Sequence, residues 1–446
     1  MQELQTMETT FNQIVESLLS AKVRGEEFTL QLSAESSQFV RFNRAKVRQS
    51  GCIVDGWLQL NLIVDGRIGF REFPFTGHLE TDEEQAKAAL AELRQEVPQL
   101  PADPYLVLPS GDSSSREVNS GNLLPPEEVV PTLLPIVSHL DFTGLYAGGL
   151  IVRGYADSAG QKHWFATESF NLDYSLFTPE AQAVKGTFSG SDWDREAYEN
   201  KMKELKVQLE LLSQPAKTIP RGQYRTYFAP AAVADLVGML SWGAISEASL
   251  QQEGSALALL QRREKQLSSK FNLKENFQYG LVPRFNDKGE IAPVELPLIV
   301  DGVLVNTLVN SRTAKEYQKQ GNGANARESL RAPEVGMGDL TAEQIISALD
   351  TGLYVSNLHY LNWSDRPTGR ITGMTRYACF WVEKGEIVAP IENLRFDESL
   401  YRFWGENLVA LTNVREFIPE VDTYGSRHLG GTWVPGMLVA DFTYAL

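Results

Sequence analysis

The chain has 446 residues, 43% of them hydrophobic, and 57 acidic against 41 basic side chains give it a formal charge of −16. No apolar run approaches the ~20 residues of a bilayer-spanning helix, a field of this sign repels nucleic-acid phosphates, and the length leaves room for more than one hydrophobic core. The N-terminus MQELQTMETTFNQ lacks the parts of an export signal, and the two cysteines, Cys52 and Cys379, stand far apart, so a reducing, cytoplasmic setting is expected, with no disulfide framework, thiolate metal cage or membrane.

Each cysteine reads as a small buried apolar residue. In chain order, Thr10 and Gln13 form a capping box, and Phe11, Ile14, Val15, Leu18 and Leu19 share one helical face. Phe28, Leu30 and Leu32 alternate with polar residues, as do Leu58, Leu60 and Leu62, and Asp65-Gly66 is a hairpin turn into a strand at 67–73. Between these strands Arg41, Arg44, Lys46 and Arg48 interleave with Phe39, Val40, Phe42 and Val47. This is the best local basic patch, yet a solvated strand face explains it equally well, and four cations add only a modest, salt-sensitive attraction for nucleic acid. No nucleic-acid partner is expected.

A second helix opens at Thr81 and Glu84 and carries Ala86, Ala89, Leu90, Leu93 and Val97 on its buried stripe. Residues 98–135 read as a Pro-, Ser- and Gly-rich connection with a short helix near Glu127. A hairpin then spans 142–155 and 162–176, and a charged helix spans 191–212. The prolines and glycine of 214–222 suggest a boundary between domains 1–215 and 216–446.

The second half opens with a strand at 224–228 and a helix whose Pro230 sits in the first turn, where a missing N–H costs nothing. Another helix is predicted at 255–270, followed by strand pairs turning at 286–289 and at Asp301-Gly302. Thr341 and Gln344 cap a helix that stops at Gly352, and 352–390 reads as a β-meander with turns at 365–369 and Lys384-Gly385. The fold class is α+β: an N-terminal α/β module with a mixed sheet, then a β-rich domain with flanking helices.

Chemistry is harder to find. His78, His139, His163, His359 and His428 are too dispersed for an H-E-x-x-H zinc helix, and G-x-S-x-G is absent. Each histidine reads as structural; the least bland is His428, beside Arg427 in a tail with Gly425, Gly430 and Gly431. The run 321–326 imitates a dinucleotide fingerprint but follows a helix, so it reads as a loop of close backbone approach. Asp235, Glu247 and Glu253 lie on or just after the helix opening at Pro230 and could line a cleft, although helix carboxylates are mostly solvated. Catalytic residues are therefore unknown, with Asp235 and His428 as the candidates.

Over nearly the whole chain, the order of features resembles the TldD/PmbA family of peptidase-associated proteins. The run IVDGVLVNTLVNSRTAKEYQKQGNGANARES is similar to the family's hairpin, helix and Thr-Gly-Asn-Gly-like segment. GLYVSNLHYLNWSDRPTGRITGMTRYACFWVEKGEIVAP is similar to its Gly-Leu-Tyr, Thr-Gly and Glu-x-Gly-Glu-Ile block. The resemblance offers two types: a TldD type with a His-Glu-x-x-x-His zinc helix completed by a C-terminal cysteine, and a PmbA (TldE) type without those ligands. Here Ala234-Asp235-Leu236-Val237-Gly238-Met239 stands in the motif's place and Arg427 near the cysteine's. Alanine, methionine and arginine offer zinc no anionic or imidazole donor.

What the resemblance implies is a PmbA/TldE-like subunit with no metal and no cofactor, in a family once labelled modulators of DNA gyrase. It would bind unfolded peptide in a channel, as a homodimer or as a heterodimer with a zinc-bearing TldD-like subunit. Whether the chain is an enzyme stays open. The alternatives are a stand-alone hydrolase with a non-metal site, or a homodimeric binding or scaffold protein.

Overall fold

The structure is a computed structural model and describes residues 2–445. Its N-terminal part begins with helix α1 (Gln2–Ala21) and strands β1 (Glu26–Asn43), β2 (Lys46–Val64) and β3 (Arg67–Pro74). Arg44, Ala45, Asp65 and Gly66, which join them, all have positive φ, the turn geometry that matches the twist of a hairpin. Helix α2 (Leu79–Glu96), β4 (Ser114–Asn119), α3 (Pro126–Val137), β5 (Asp141–Asp157), β6 (Lys162–Phe177), β7 (Ala183–Gly190) and α4 (Arg195–Leu212) follow. The strands form one seven-stranded sheet in the order β3-β2-β1-β5-β6-β4, with β7 also on β6. β4 runs parallel to β6 and the other pairs are antiparallel, so the sheet is mixed as expected.

Side chains alternate across a strand, and in β1, β5 and β6 the even-numbered ones meet the helices. Leu30, Leu32 and Val152 pack with Phe11, Ile14, Val15 and Leu18 of α1 and with Leu90 and Leu93 of α2. Farther along the same face, Phe42, Phe142 and Leu172 pack with Leu133 of α3 and with Tyr198 and Met202 of α4. The odd-numbered face turns to the rest of the chain: Tyr155 and Phe165 cluster with Phe285.

That C-terminal part is built on thirteen strands: β8 (Gly222–Phe228), β9 (Leu273–Asn276), β10 (Glu295–Val300), β11 (Val303–Leu304), β12 (Pro333–Val335), β13 (Gly352–Val355), β14 (Asn357–Asp365), β15 (Arg370–Arg376), β16 (Phe380–Glu383), β17 (Glu386–Pro390), β18 (Arg395–Ser399), β19 (Leu408–Pro419) and β20 (Gly431–Tyr444). Strand β20 is the hub, pairing with β8, β12, β18 and β19. Helix α5 (Pro230–Gly238), followed by a 3-10 turn at Met239–Ser241, lies against it and buries Ala232, Val233, Leu236 and Val237. Among the described residues no helix is long and apolar enough to cross a membrane.

Several expectations need correction. The region 352–390 is not a meander: β13 pairs with β8 and β16, and the β14–β15 hairpin is set aside to pair with β18. Leu353, Val355, Phe380 and Val382 are buried on β13 and β16, whereas most of β14 stays partly exposed. The helix predicted at 255–270 shrinks to Ala258–Gln261, because the polar run 261–266 offers no face to bury and the chain turns at Arg263 (φ 60°). Around 286–289 there is only a single bridge, Phe285 to Ile291. Helix α1 starts before Thr10, which is buried within it, and α2 starts at Leu79, before Thr81. Cys52 lies exposed on β2, whose outer half has no partner beyond β1.

Candidate functional site

A cleft of about 920 Å³ lies between the two parts. One wall is the face of α5 turned away from the core: Ala231, Ala234, Asp235 and Gly238 recur at helical spacing and line it, and Trp242, just past the 3-10 turn that follows, extends the wall. Beside it stand Asn357, Tyr360 and Leu361 of β14, the strand that packs on α5. Lys185, Gly186 and Thr187 of β7 bring in the N-terminal sheet, and Arg327, Arg331, Glu420 and Leu429 complete the lining.

Asp235 is the carboxyl of the α5 wall. Its Oδ2 accepts the Leu358 N–H at 3.2 Å, and among the described residues no ion pair reaches it. Its accessible surface is that of an exposed residue, yet protein surrounds it densely. Both hold because the open side is the interior of a cleft. Loss of hydration there pushes its pKa up from 3.8 to about 7, with the Leu358 N–H pulling the other way.

The other charges lining the cleft are mostly committed. Lys185 pairs with Asp173. The half-buried Arg331 guanidinium donates to the carbonyls of Gly323 at 2.8 Å and Phe285 at 3.1 Å and lies over the Phe277 ring; loss of hydration lowers its pKa while Glu275 opposes this. Gly323 (φ 74°) lies so near Ala292 that a Cβ would come within 2.6 Å of its nitrogen, so 321–326 is a loop of close backbone approach.

Two aromatic rings missed by the sequence reading stand in this lining, Trp242 at 54% and Tyr360 at 77% exposure. Tyr360 has φ 55° where the β14–β15 register slips between His359 and Asn362. The His359 ring centroid lies 4.3 Å from its own. Trp242 follows the end of α5 and its 3-10 turn, so helical spacing from Asp235 does not place it. Nothing in the sequence marks a left-handed tyrosine.

The remaining candidates fall elsewhere. His428 is exposed beside a separate recess of about 20 Å³ and does not meet Asp235. Glu247 is buried, bonded to Thr307 at 2.6 Å and paired with Lys319 at 3.1 Å, while Glu253 sits in a turn with φ 58°. Arg427 does not line the cleft: it is 1% exposed, with its side chain on the N-terminal sheet, donating to Ser169 O at 3.0 Å and Ser169 Oγ at 2.7 Å. His163 is buried, its Nδ1 2.9 Å from Ser115 Oγ and its ring stacked on Phe285.

A zinc ion does not suit this donor set. Ala234 and Met239 line the cleft, Arg427 points away, and among the described residues no three His, Cys, Asp or Glu gather where they could hold a metal.

Residues 221–446 match the family described as the PmbA/TldA metallopeptidase C-terminal domain. The Metalloprotease PmbA of Escherichia coli O157:H7 is 30% identical over 146 residues, 32% of this chain and 29% of that protein, so the match spans less than a third of the relative's length. Among solved structures, TldE from Thermococcus kodakarensis has a TM-score of 0.79 at 14% identity, covering 97% of this chain and 100% of its own. A protein from Thermotoga maritima MSB8, described as a candidate modulator of a DNA gyrase, has a TM-score of 0.76 at 17% identity, covering 98% and 100%. Another so described, from Bacteroides thetaiotaomicron VPI-5482, has 0.74 at 16%, covering 99% and 98%. At these identities the structural likeness is one of fold.

Proposed function

Because the chain belongs to the TldD/PmbA family, we propose that it is a peptide-holding subunit of a cytoplasmic proteolytic assembly, carrying no zinc of its own and paired with a zinc-bearing TldD-like chain. The observation that carries this reading is the α5 wall, where Ala234 and Met239 replace metal donors while the cleft beside them stays open. Peptide binding is supported by strand edges: among the described residues β7 pairs only with β6 and β14 only with β15, and both contribute to the lining. Open edges of this kind accept an extended chain through main-chain hydrogen bonds, with side-chain pockets supplying selectivity. The volume falls within the ~300–1,000 Å³ typical of ligand sites. Cleavage would then belong to the partner.

The test is cleavage of an unfolded peptide by the purified chain, alone and with a TldD-type subunit, alongside zinc analysis. Expected are no turnover and substoichiometric zinc alone, and chelator-sensitive turnover with the partner. Stoichiometric zinc and chelator-sensitive cleavage by the chain alone would overturn the proposal. A second reading, a stand-alone hydrolase, draws on a carboxyl poised near neutrality. It requires chelator-resistant cleavage by the isolated chain that disappears in Asp235→Asn.

A further inference from the structure

We propose that the cleft contains a subsite for a cationic side chain, the lysine or arginine of an extended peptide, formed by the Asp235 carboxylate and flanked by the rings of Trp242 and Tyr360. This rests on the peptide-holding reading and adds the class of residue that is held.

Asp235 uses one oxygen on the Leu358 N–H; Oδ1 has no partner among the described residues, and the carboxyl opens on the cleft. Among the described residues no ion pair reaches it, and no cation figures among the causes of its pKa shift. Lys185 is taken by Asp173, Arg331 by backbone carbonyls, and the exposed Arg327 and Glu420 are of opposite sign. A carboxylate so placed is stabilised by a cation brought from outside, and a ligand that buries the pair strengthens the attraction by excluding water.

The rings give the cation's shape a second recognition element. Exposed tryptophan and tyrosine faces attract ammonium and guanidinium groups, and their flat surfaces also cover an aliphatic stem. Tyr360 reaches the cleft from a left-handed backbone position. Such a conformation is unfavourable for a bulky residue and persists where the surroundings enforce it, often at binding sites. The high proton affinity of Asp235 agrees with a carboxyl that lacks its counter-charge.

The experiment is fluorescence anisotropy with labelled, unfolded peptides identical except for one central residue: lysine, arginine, norleucine or glutamine. Wild type is expected to bind the lysine and arginine peptides about tenfold more tightly than the norleucine peptide. Asp235→Asn keeps the size and the acceptor for Leu358, so it should erase that preference and leave norleucine affinity within about twofold. Trp242→Leu should weaken the cationic peptides in particular. Peptides that bind with no cation preference, or a preference that survives Asp235→Asn, would overturn the subsite alone. Failure of every peptide to bind would overturn the peptide-holding reading and the subsite with it.

Discussion

Where the tail crosses the N-terminal sheet, Arg427 is sealed in: its guanidinium donates to Ser169, its own N–H to Glu35 at 3.1 Å, and the Glu35 carboxylate lies near both Arg427 and Arg153. In the cleft, Asp235 has one backbone N–H and, among the described residues, no ion-pair partner. Both charges stand within dense protein, but the seam supplies its own counter-charge and the cleft does not. Charge balanced inside a chain fastens elements together; charge left unbalanced beside an opening awaits a ligand. At the seam the balance is more electrostatic than geometric, since Glu35 Oε2 and Arg427 Nε are buried without hydrogen-bond partners.

The most direct way to break this comparison is Arg427→Ala. Burial pushes the guanidinium down to about 10, which still leaves it charged at neutral pH. Its removal strips Glu35 of one counter-charge and frees the tail from Ser169. A loss of about 3 kcal/mol is expected in chemical denaturation at pH 7, and Arg427→Lys, with its charge but without the planar fork, should fall between. Unchanged stability would mean that the seam is not held by charge.

The two regions also differ in how far the sequence exposed them. The N-terminal hairpins were legible because Leu58, Leu60 and Leu62 alternate, Asp65-Gly66 suits its turn, and the long strands keep one register for most of their length. Strands β4 and β7 were missed: Ser114–Asn119 is polar, and Ala183–Gly190 takes its place only because β6 offers an edge. In the C-terminal part pairing is decided between residues far apart in the chain, as with β13 and β8, and local pattern cannot report it. Asp235 was visible as a carboxyl on a helix, but its isolation from every cation was not. Leu429 and Gly431 of the tail line the cleft while Arg427 turns to the N-terminal sheet, a choice of side that linear spacing does not encode.

Asp235→Asn tests the other half of the comparison and should change stability in the opposite sense. An acid whose folded-state pKa is raised binds its proton more tightly when folded. Its favourable contribution is present below the unfolded value of 3.8 and is lost as pH rises through about 7. Asparagine does not titrate. The variant should therefore match wild type near pH 4 and exceed it above pH 7, by on the order of 1 kcal/mol once screening by cleft water is allowed for. Thermal unfolding across that range checks the crossover, and a difference independent of pH would show that Asp235 is compensated after all.

Gly238 gives the smallest effect and the sharpest contrast in packing. It ends α5 with helical angles (φ −55°, ψ −32°), and a Cβ built on it meets nothing within 4 Å. At the seam, Gly149, whose carbonyl faces Arg427, has φ 146° and would drive a Cβ to 2.1 Å from Ser36 O. Gly238→Ala should stabilise the chain by about 0.5–1 kcal/mol through reduced backbone freedom in the unfolded state, while Gly149→Ala should destabilise it. Both are read from denaturation midpoints. A destabilised Gly238→Ala would mean that the α5 wall is pressed against other atoms in solution, and the open cleft on which the comparison turns would be closed.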